Sequence, residues 1–239
     1  MIRMDCLILR IGGSLIVLIL GHRGASKAHP ENTLAAFAAA YDAGADGLEW
    51  DVHATADGVP VLTHDRSLAR RTGDDRNVDE VTLEQIKQLD AGNGETIPTF
   101  AEALALCAGR GYLDIEVKQA GIETAVLDVL KDYEGAWGIS SFDWTSLVTF
   151  RELSADAELW LLAMKTDQSL FETAARINAK GVALHFSAII AESAAALNDA
   201  KLQIFAWTVN DPDEAKRLDN MGIEGLITDV PETIKPLFA

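Results

Sequence analysis

Glu49 and Asp51 stand two residues apart at the end of an apolar run, in the stretch EWDVHATADGVPVLTHD from Glu49 to Asp65. On a strand, residues i and i+2 share a face, so both carboxylates project into one site. Like charges that close are costly unless a cation sits between them. The stretch then passes a Gly-Pro turn and reaches a second polar tip, His64-Asp65. His22-Arg23 follows another apolar run, Leu15 to Leu20, and Glu116-x-Lys118 closes a third. Three carboxylates from two strands, Glu49, Asp51 and Glu116, suit one hard divalent ion, Mg²⁺ or Ca²⁺. Zinc fits poorly, because the chain has neither a His pair at i, i+4 nor a cysteine cluster.

His22 and His64 form a natural acid/base pair, since histidine titrates near neutrality. Arg23 and Lys118 offer cationic donors to a phosphate oxygen, one as a fork and one as a point charge. Trp207 could wall the pocket and stack on a small polyol. Taken singly, each has a plainer explanation: a core histidine, a strand-end ion pair, a core tryptophan. Their convergence is the signal, because a hydrophobic core does not gather such groups. His29, His53 and His185 are secondary candidates.

The elements that must position these groups alternate in type. Strands are expected at Leu15–Leu20, Gly47–Val52, Tyr112–Val117, Ala136–Ser140, Leu159–Ala163, Gly181–Leu184, Gln203–Trp207 and Gly225–Ile227. Between them lie segments with apolar spacing near 3.6, such as Glu31–Tyr41, Thr99–Ala108 and Asp211–Met221. Thr99 with Glu102, and Asp211-Pro212-Asp213, are start signals. Gly44, Gly181 and Gly222 stand where left-handed helix caps are expected. Eight strands and seven helices, with a short tail helix after Pro231, predict a (β/α)8 TIM barrel. A doubly wound open sheet is the alternative, but Gly-His-Arg-Gly after the first strand lacks dinucleotide-loop spacing. In such a barrel the chemistry collects at the C-terminal strand ends. Those ends also carry Ser140-Ser141-Phe142, His185, Asn210 and Thr228-Asp229. The irregular stretch 67–98, holding a short helix at Leu83–Leu89, reads as a loop excursion within a single domain.

The chain has 239 residues, 49% of them apolar, and a formal net charge of −17. That charge argues against nucleic-acid binding and against stable docking on anionic membrane lipid. Any anionic substrate needs a local cation. Cys6 and Cys107 read as small buried hydrophobes. Residues 1–13 read as an N-terminal extension: Asp5 and Arg10 interrupt what would otherwise resemble a secretory leader. The cytoplasm is the expected compartment, and homo-oligomer formation is left open.

The chain resembles the glycerophosphodiester phosphodiesterase family. The likeness rests on GHRGASKAHPENTLAAF (Gly21–Phe37), GADGLEWDVHATADGVPVLTHD (Gly44–Asp65), LARRTGD leading to LDAGNGETIPTFAEAL (Leu68–Leu104), DIEVK (Asp114–Lys118), WTVND (Trp207–Asp211) and GLITDVPE (Gly225–Glu232). It implies a (β/α)8 barrel that hydrolyses a small-molecule phosphodiester such as glycerophosphocholine to sn-glycerol 3-phosphate and an alcohol. It further implies His22 and His64 as acid/base groups, Glu49, Asp51 and Glu116 as metal ligands, and Arg23 and Lys118 near the phosphate. Lys27 and His29 depart from the family pattern on the loop after the first strand, which bears on substrate preference. The residues leave open whether water or a neighbouring substrate hydroxyl attacks, and which histidine begins as base. Two other functions share the pattern: a phospholipase D-like hydrolase of lysophospholipid or sphingolipid head groups, and a non-catalytic phosphopolyol binder. The first needs an apolar face, and no exposed aromatic cluster is evident in the sequence.

Overall fold

The computed structural model describes residues 17–238 together with the backbone at 10–11 and 14–15. Eight parallel strands form the barrel: β1 (Leu18–His22), β2 (Gly47–Ala54), β3 (Tyr112–Val117), β4 (Ala136–Ser141), β5 (Leu159–Ala163), β6 (Gly181–His185), β7 (Gln203–Trp207) and β8 (Gly225–Thr228). Each pairs with the next, and β8 and β2 both pair with β1, closing the sheet. The connecting helices are α1 (Leu34–Asp42), α2 (Phe100–Cys107), α3 (Glu123–Leu130), α4 (Trp144–Leu153), α5 (Gln168–Arg176), α6 (Ala191–Asp199), α7 (Pro212–Asp219) and α8 (Pro231–Ile234). No helix among the described residues is long and apolar enough to cross a membrane.

Period-2 alternation sorts every strand into two faces. Outward residues such as Leu48, Trp50, Leu113 and Ile115 join the large core under the helices. Inward residues lower in the barrel (Leu20, Tyr112, Trp160, Phe205, Ile227) plug the interior. Above that plug the inward positions of β1 to β4 are polar (His22, Glu49, Asp51, Glu116, Ser140), while those of β5 and β7 are Leu162 and Trp207. Register sets Glu49 opposite His22 and Asp114, and Asp51 opposite Glu116.

Three strands, Tyr112–Val117, Leu159–Ala163 and Gln203–Trp207, have the expected bounds, and the other five run one or two residues further at their C-terminal ends. The first begins later, at Leu18, and Leu15 instead pairs with Arg10 in a short antiparallel ribbon. That ribbon takes in part of the expected 1–13 extension, the remainder of which lies outside the described residues. The expected helix starts at Thr99 and Asp211 are present. Thr99 Oγ1 accepts from Glu102 N, with Glu102 closing the capping box, and Asp211 accepts from Asp213 N and Glu214 N with Pro212 in the first turn. Helix α1 starts at Leu34 rather than Glu31, because Thr33 caps it and the residues before Thr33 turn toward the barrel mouth.

Gly44 and Gly222 are left-handed, as expected, but Gly181 is not; Asn178 takes the left-handed position after α5. Gly181 opens β6, where a Cβ would sit 2.4 Å from the Gln203 carbonyl and 2.5 Å from the Trp160 ring. A strand not foreseen, Pro60–Leu62, precedes the 67–98 excursion and runs antiparallel to the end of β2. The excursion's helical turns at Ala69–Thr72 and Leu83–Ile86 enclose a small core of Val61, Leu68, Val78, Val81, Ile86, Ala91 and Ile97.

Candidate active site

The inward polar positions meet at the C-terminal mouth. Glu49, Asp51 and Glu116 are buried, and each offers an oxygen within 4.8 Å of the others. Two cations lean on them. Lys118 Nζ donates to Glu116 Oε1 at 2.7 Å and lies 3.5 Å from Asp51 Oδ1, while Arg23 Nε is 3.0 Å from Asp51 Oδ2. Burial works against every one of these charges. Arg23 and Lys118 overcome it at Asp51 and hold that carboxyl down to about 2. Burial and the neighbouring Asp51 charge push Glu116 up to about 8 and Glu49 well above the usual range. The cluster therefore retains protons near neutrality. Asp51 Oδ1 is buried with no hydrogen-bond donor. An oxygen-only donor set with an unsatisfied buried lone pair fits a hard divalent cation.

Backbone geometry aims these groups. Arg23 and Asn32 are non-glycine residues with φ of 55° and 56°, the left-handed region that side chains rarely adopt. The turn lets Arg23 N donate to both Glu49 O (2.8 Å) and Glu49 Oε2 (3.0 Å). Asn32 grips Asp51 twice: its Nδ2 donates to Asp51 Oδ2 at 2.8 Å, and its Oδ1 accepts from Asp51 N at 3.3 Å. Glu31 accepts from Arg23 Nη1 at 3.4 Å and from Arg70 Nη2 at 2.6 Å, joining the excursion to the mouth.

Both histidines are backed by carboxylates. His22 Nδ1 donates to Asp229 Oδ1 at 2.5 Å, and His64 Nδ1 donates to Asp65 Oδ1 at 2.6 Å. Each Nε2 is thereby left for other work; that of His22 lies 3.8 Å from Glu49 Oε2. Asp229 also accepts from the Ser26 hydroxyl (2.9 Å) and from Asn210 Nδ2 (2.7 Å). Despite partial burial, these bonds hold it far below the usual carboxylate range. Asp65 is held instead by Arg70, through its Nε. Burial lowers His64, against the pull of Asp51.

Of the remaining candidates, His53 is buried and donates Nε2 to the His64 carbonyl at 3.2 Å. Trp207 reaches the same mouth, but on β7, four strands around the barrel from Glu116. It touches Phe142 and His185 there, and its Nε1 donates to Ala183 O. The sequence assigns no role to Asn32, Asp65, Asp114 or Asp229, although it sets Asp65 beside His64 and Asp229 at the end of the last strand. Asn32 and Asp229 carried a signal, inside PENT and at the end of the last strand.

A closed barrel with an oxygen-ligand cluster, two cations and two carboxylate-backed histidines at its C-terminal mouth defines a phosphate-ester hydrolase site. The glycerophosphoryl diester phosphodiesterase family model matches residues 22–233, and the chain belongs to that family. It is 36% identical over 232 residues to a glycerophosphodiester phosphodiesterase of Caldanaerobacter subterraneus subsp. tengcongensis, covering 91% of this chain and 96% of that one. Among solved structures, an Oleispira antarctica phosphodiesterase in complex with the product sn-glycerol-3-phosphate superposes with a TM-score of 0.87 at 30% identity, covering 93% of this chain and 96% of that one. A glycerophosphodiester phosphodiesterase from Thermotoga maritima superposes with a TM-score of 0.81 at 29% identity, covering 92% and 98%.

Proposed function

We propose that this chain hydrolyses glycerophosphodiesters to sn-glycerol 3-phosphate and an alcohol, with a divalent metal and His22 and His64 as the acid/base pair. The observation that carries this reading is the pairing of two carboxylate-oriented histidines with one buried acidic cluster at a single barrel mouth. Glu49, Asp51 and Glu116 would hold the ion, Mg²⁺ or Ca²⁺, which when bound supplies charge neutralisation at a non-bridging phosphate oxygen. Arg23 and Lys118 sit beside that cluster and donate to the equatorial oxygens as charge builds there. Asp229 and Asp65 keep the Nδ1 proton in place on each ring, so proton transfer runs through Nε2. One histidine takes the nucleophile's proton while the other protonates the leaving alkoxide. The nucleophile is water or the substrate's adjacent hydroxyl; the second route passes through a cyclic phosphate.

We take the chain as one domain, since Arg70 pins the excursion to the mouth, and we keep the cytoplasm as its compartment on the acidic balance. The test is release of sn-glycerol 3-phosphate by wild type and by His22→Ala and His64→Ala. Full activity in either variant removes that histidine from the role.

A further inference from the structure

The two histidines receive their support from different parts of the chain. Asp229, behind His22, is held at both oxygens by the barrel rim itself: Oδ1 accepts from the Ser26 hydroxyl at 2.9 Å and Oδ2 from Asn210 Nδ2 at 2.7 Å. Asp65, behind His64, is held from the excursion. Its Oδ1 accepts from His64 Nδ1 at 2.6 Å and its Oδ2 from Arg70 Nε. The other edge of the same guanidinium donates through Nη2 to Glu31 Oε1 at 2.6 Å, on the loop after β1. Glu31 in turn meets Arg23 Nη1 at 3.4 Å, and Arg23 Nε lies 3.0 Å from Asp51 Oδ2. Charges of alternating sign therefore link His64 to the candidate metal ligand Asp51, and Arg70 is the link that the excursion contributes.

We propose that Arg70 is a positioning residue for the hydrolysis: it fixes the Asp65 carboxylate and, through it, the direction in which His64 presents Nε2; this rests on the phosphodiesterase reading above. A carboxylate gripped at one oxygen can still swing about its Cβ–Cγ bond, and a ring bonded to it swings too. Gripped at both oxygens by groups that are themselves anchored, it holds one plane. A guanidinium suits this task, because its planar fork serves two carboxylates at fixed angles, which an ammonium does not. The turn that carries Arg70, Ala69–Thr72, is fastened on either side. Leu68 is fully buried in the small core of the excursion and its N donates to Arg76 O at 3.0 Å, while Arg71 Nη2 donates to Ala91 O at 2.7 Å. Burial works against the Asp65 charge, yet the bonds from Arg70 and His64 keep that carboxyl below its usual range. Stability is a poor reason for the arrangement. The Arg70 side chain is 49% exposed, and ion pairs so open to water and salt stabilise a fold little. Its place behind an acid/base histidine is a better one.

The test measures kcat and KM of the full chain on glycerophosphocholine, with Mg²⁺ or Ca²⁺ supplied, for wild type, Arg70→Ala, Asp65→Asn, the double variant and Arg66→Ala. Arg70→Ala is expected to lower kcat by roughly fivefold to fiftyfold, part of the ~10²–10⁴ that a general acid or base supplies. KM should change by less than about twofold, and the thermal midpoint by less than about 3 °C, as for an exposed ion pair in a chain of this length. Because Arg70 acts through Asp65, the double variant should lose no more than about twofold beyond Asp65→Asn alone. Arg66 lies in the same region but pairs with Asp79 at 2.8 Å, so Arg66→Ala should keep kcat within about twofold of wild type. Unchanged kcat in Arg70→Ala, a loss carried by KM alone, losses that multiply in the double variant, or an equal loss in Arg66→Ala would overturn the role while leaving the phosphodiesterase reading intact. Release of sn-glycerol 3-phosphate by none of the proteins, wild type included, would remove the underlying reading, and this one with it.

Discussion

His22 and Asp229 are 2.5 Å apart, the closest pairing of a candidate acid/base group with its support. His22→Ala should lower kcat by ~10²–10⁴ with little change in thermal stability, the size of effect expected for a general acid or base. Asp229→Asn keeps the shape but removes the charge that fixes the His22 tautomer. It should lower kcat by at least about tenfold, and less than His22→Ala does, with KM little altered. Unchanged kcat would leave Asp229 with a structural role alone. Glu49→Gln should raise the metal concentration needed for half-maximal activity; an unmoved titration would exclude Glu49 as a ligand. At this scale the residues that gather at the mouth were legible, because strand alternation at an apolar run's end predicts where a side chain points. The residues that orient them were not. Asn32 acts through a left-handed turn, and Asp229 reaches His22 across 207 positions of sequence, distances that only barrel closure brings together.

The elements were readable where local chemistry decides them. Thr99 and Asp211 cap their helices through bonds made within three residues, so their positions follow from sequence. Gly181 illustrates the opposite case. It reads as a helix cap, yet its glycine is required by neighbours on β7 and β5 that the sequence does not identify. Gly181→Ala would push a Cβ into the Gln203 carbonyl and the Trp160 ring. A loss of about 1–3 kcal/mol in denaturant unfolding is expected, as for other overpacked sites. A loss below about 0.5 kcal/mol would show that β6 can shift to accept it. The Pro60–Leu62 strand escaped notice for a related reason: three residues are too few to show a period, and pairing with β2 defines them.

On the scale of the whole molecule, the barrel concentrates acids that its own cations do not fully neutralise. Asp114 lies opposite Glu49 in register and is buried. Burial pushes it up to about 7, against the Ser140 hydroxyl, while Glu116 stands at about 8. A carboxyl with a raised folded value favours the fold fully below its ordinary value near 4 and loses that contribution as pH climbs through the raised one. Metal-stripped protein should therefore lose thermal stability between about pH 5 and pH 8, and Asp114→Asn should lessen that loss. Asp51, held down to about 2, contributes in the other direction, its share disappearing only as pH falls below about 4. A divalent ion held by Glu116, as proposed, would displace its proton, so its stabilisation should be larger at pH 8 than at pH 6. Equal stabilisation at both would contradict the protonated cluster. Metal-dependent diester hydrolysis is checked by incubating the purified chain with glycerophosphocholine under Mg²⁺, Ca²⁺ or EDTA and measuring sn-glycerol 3-phosphate. Release is expected with at least one ion and none with EDTA; release that persists undiminished in EDTA, or no release with either ion from folded protein, would overturn the proposed function.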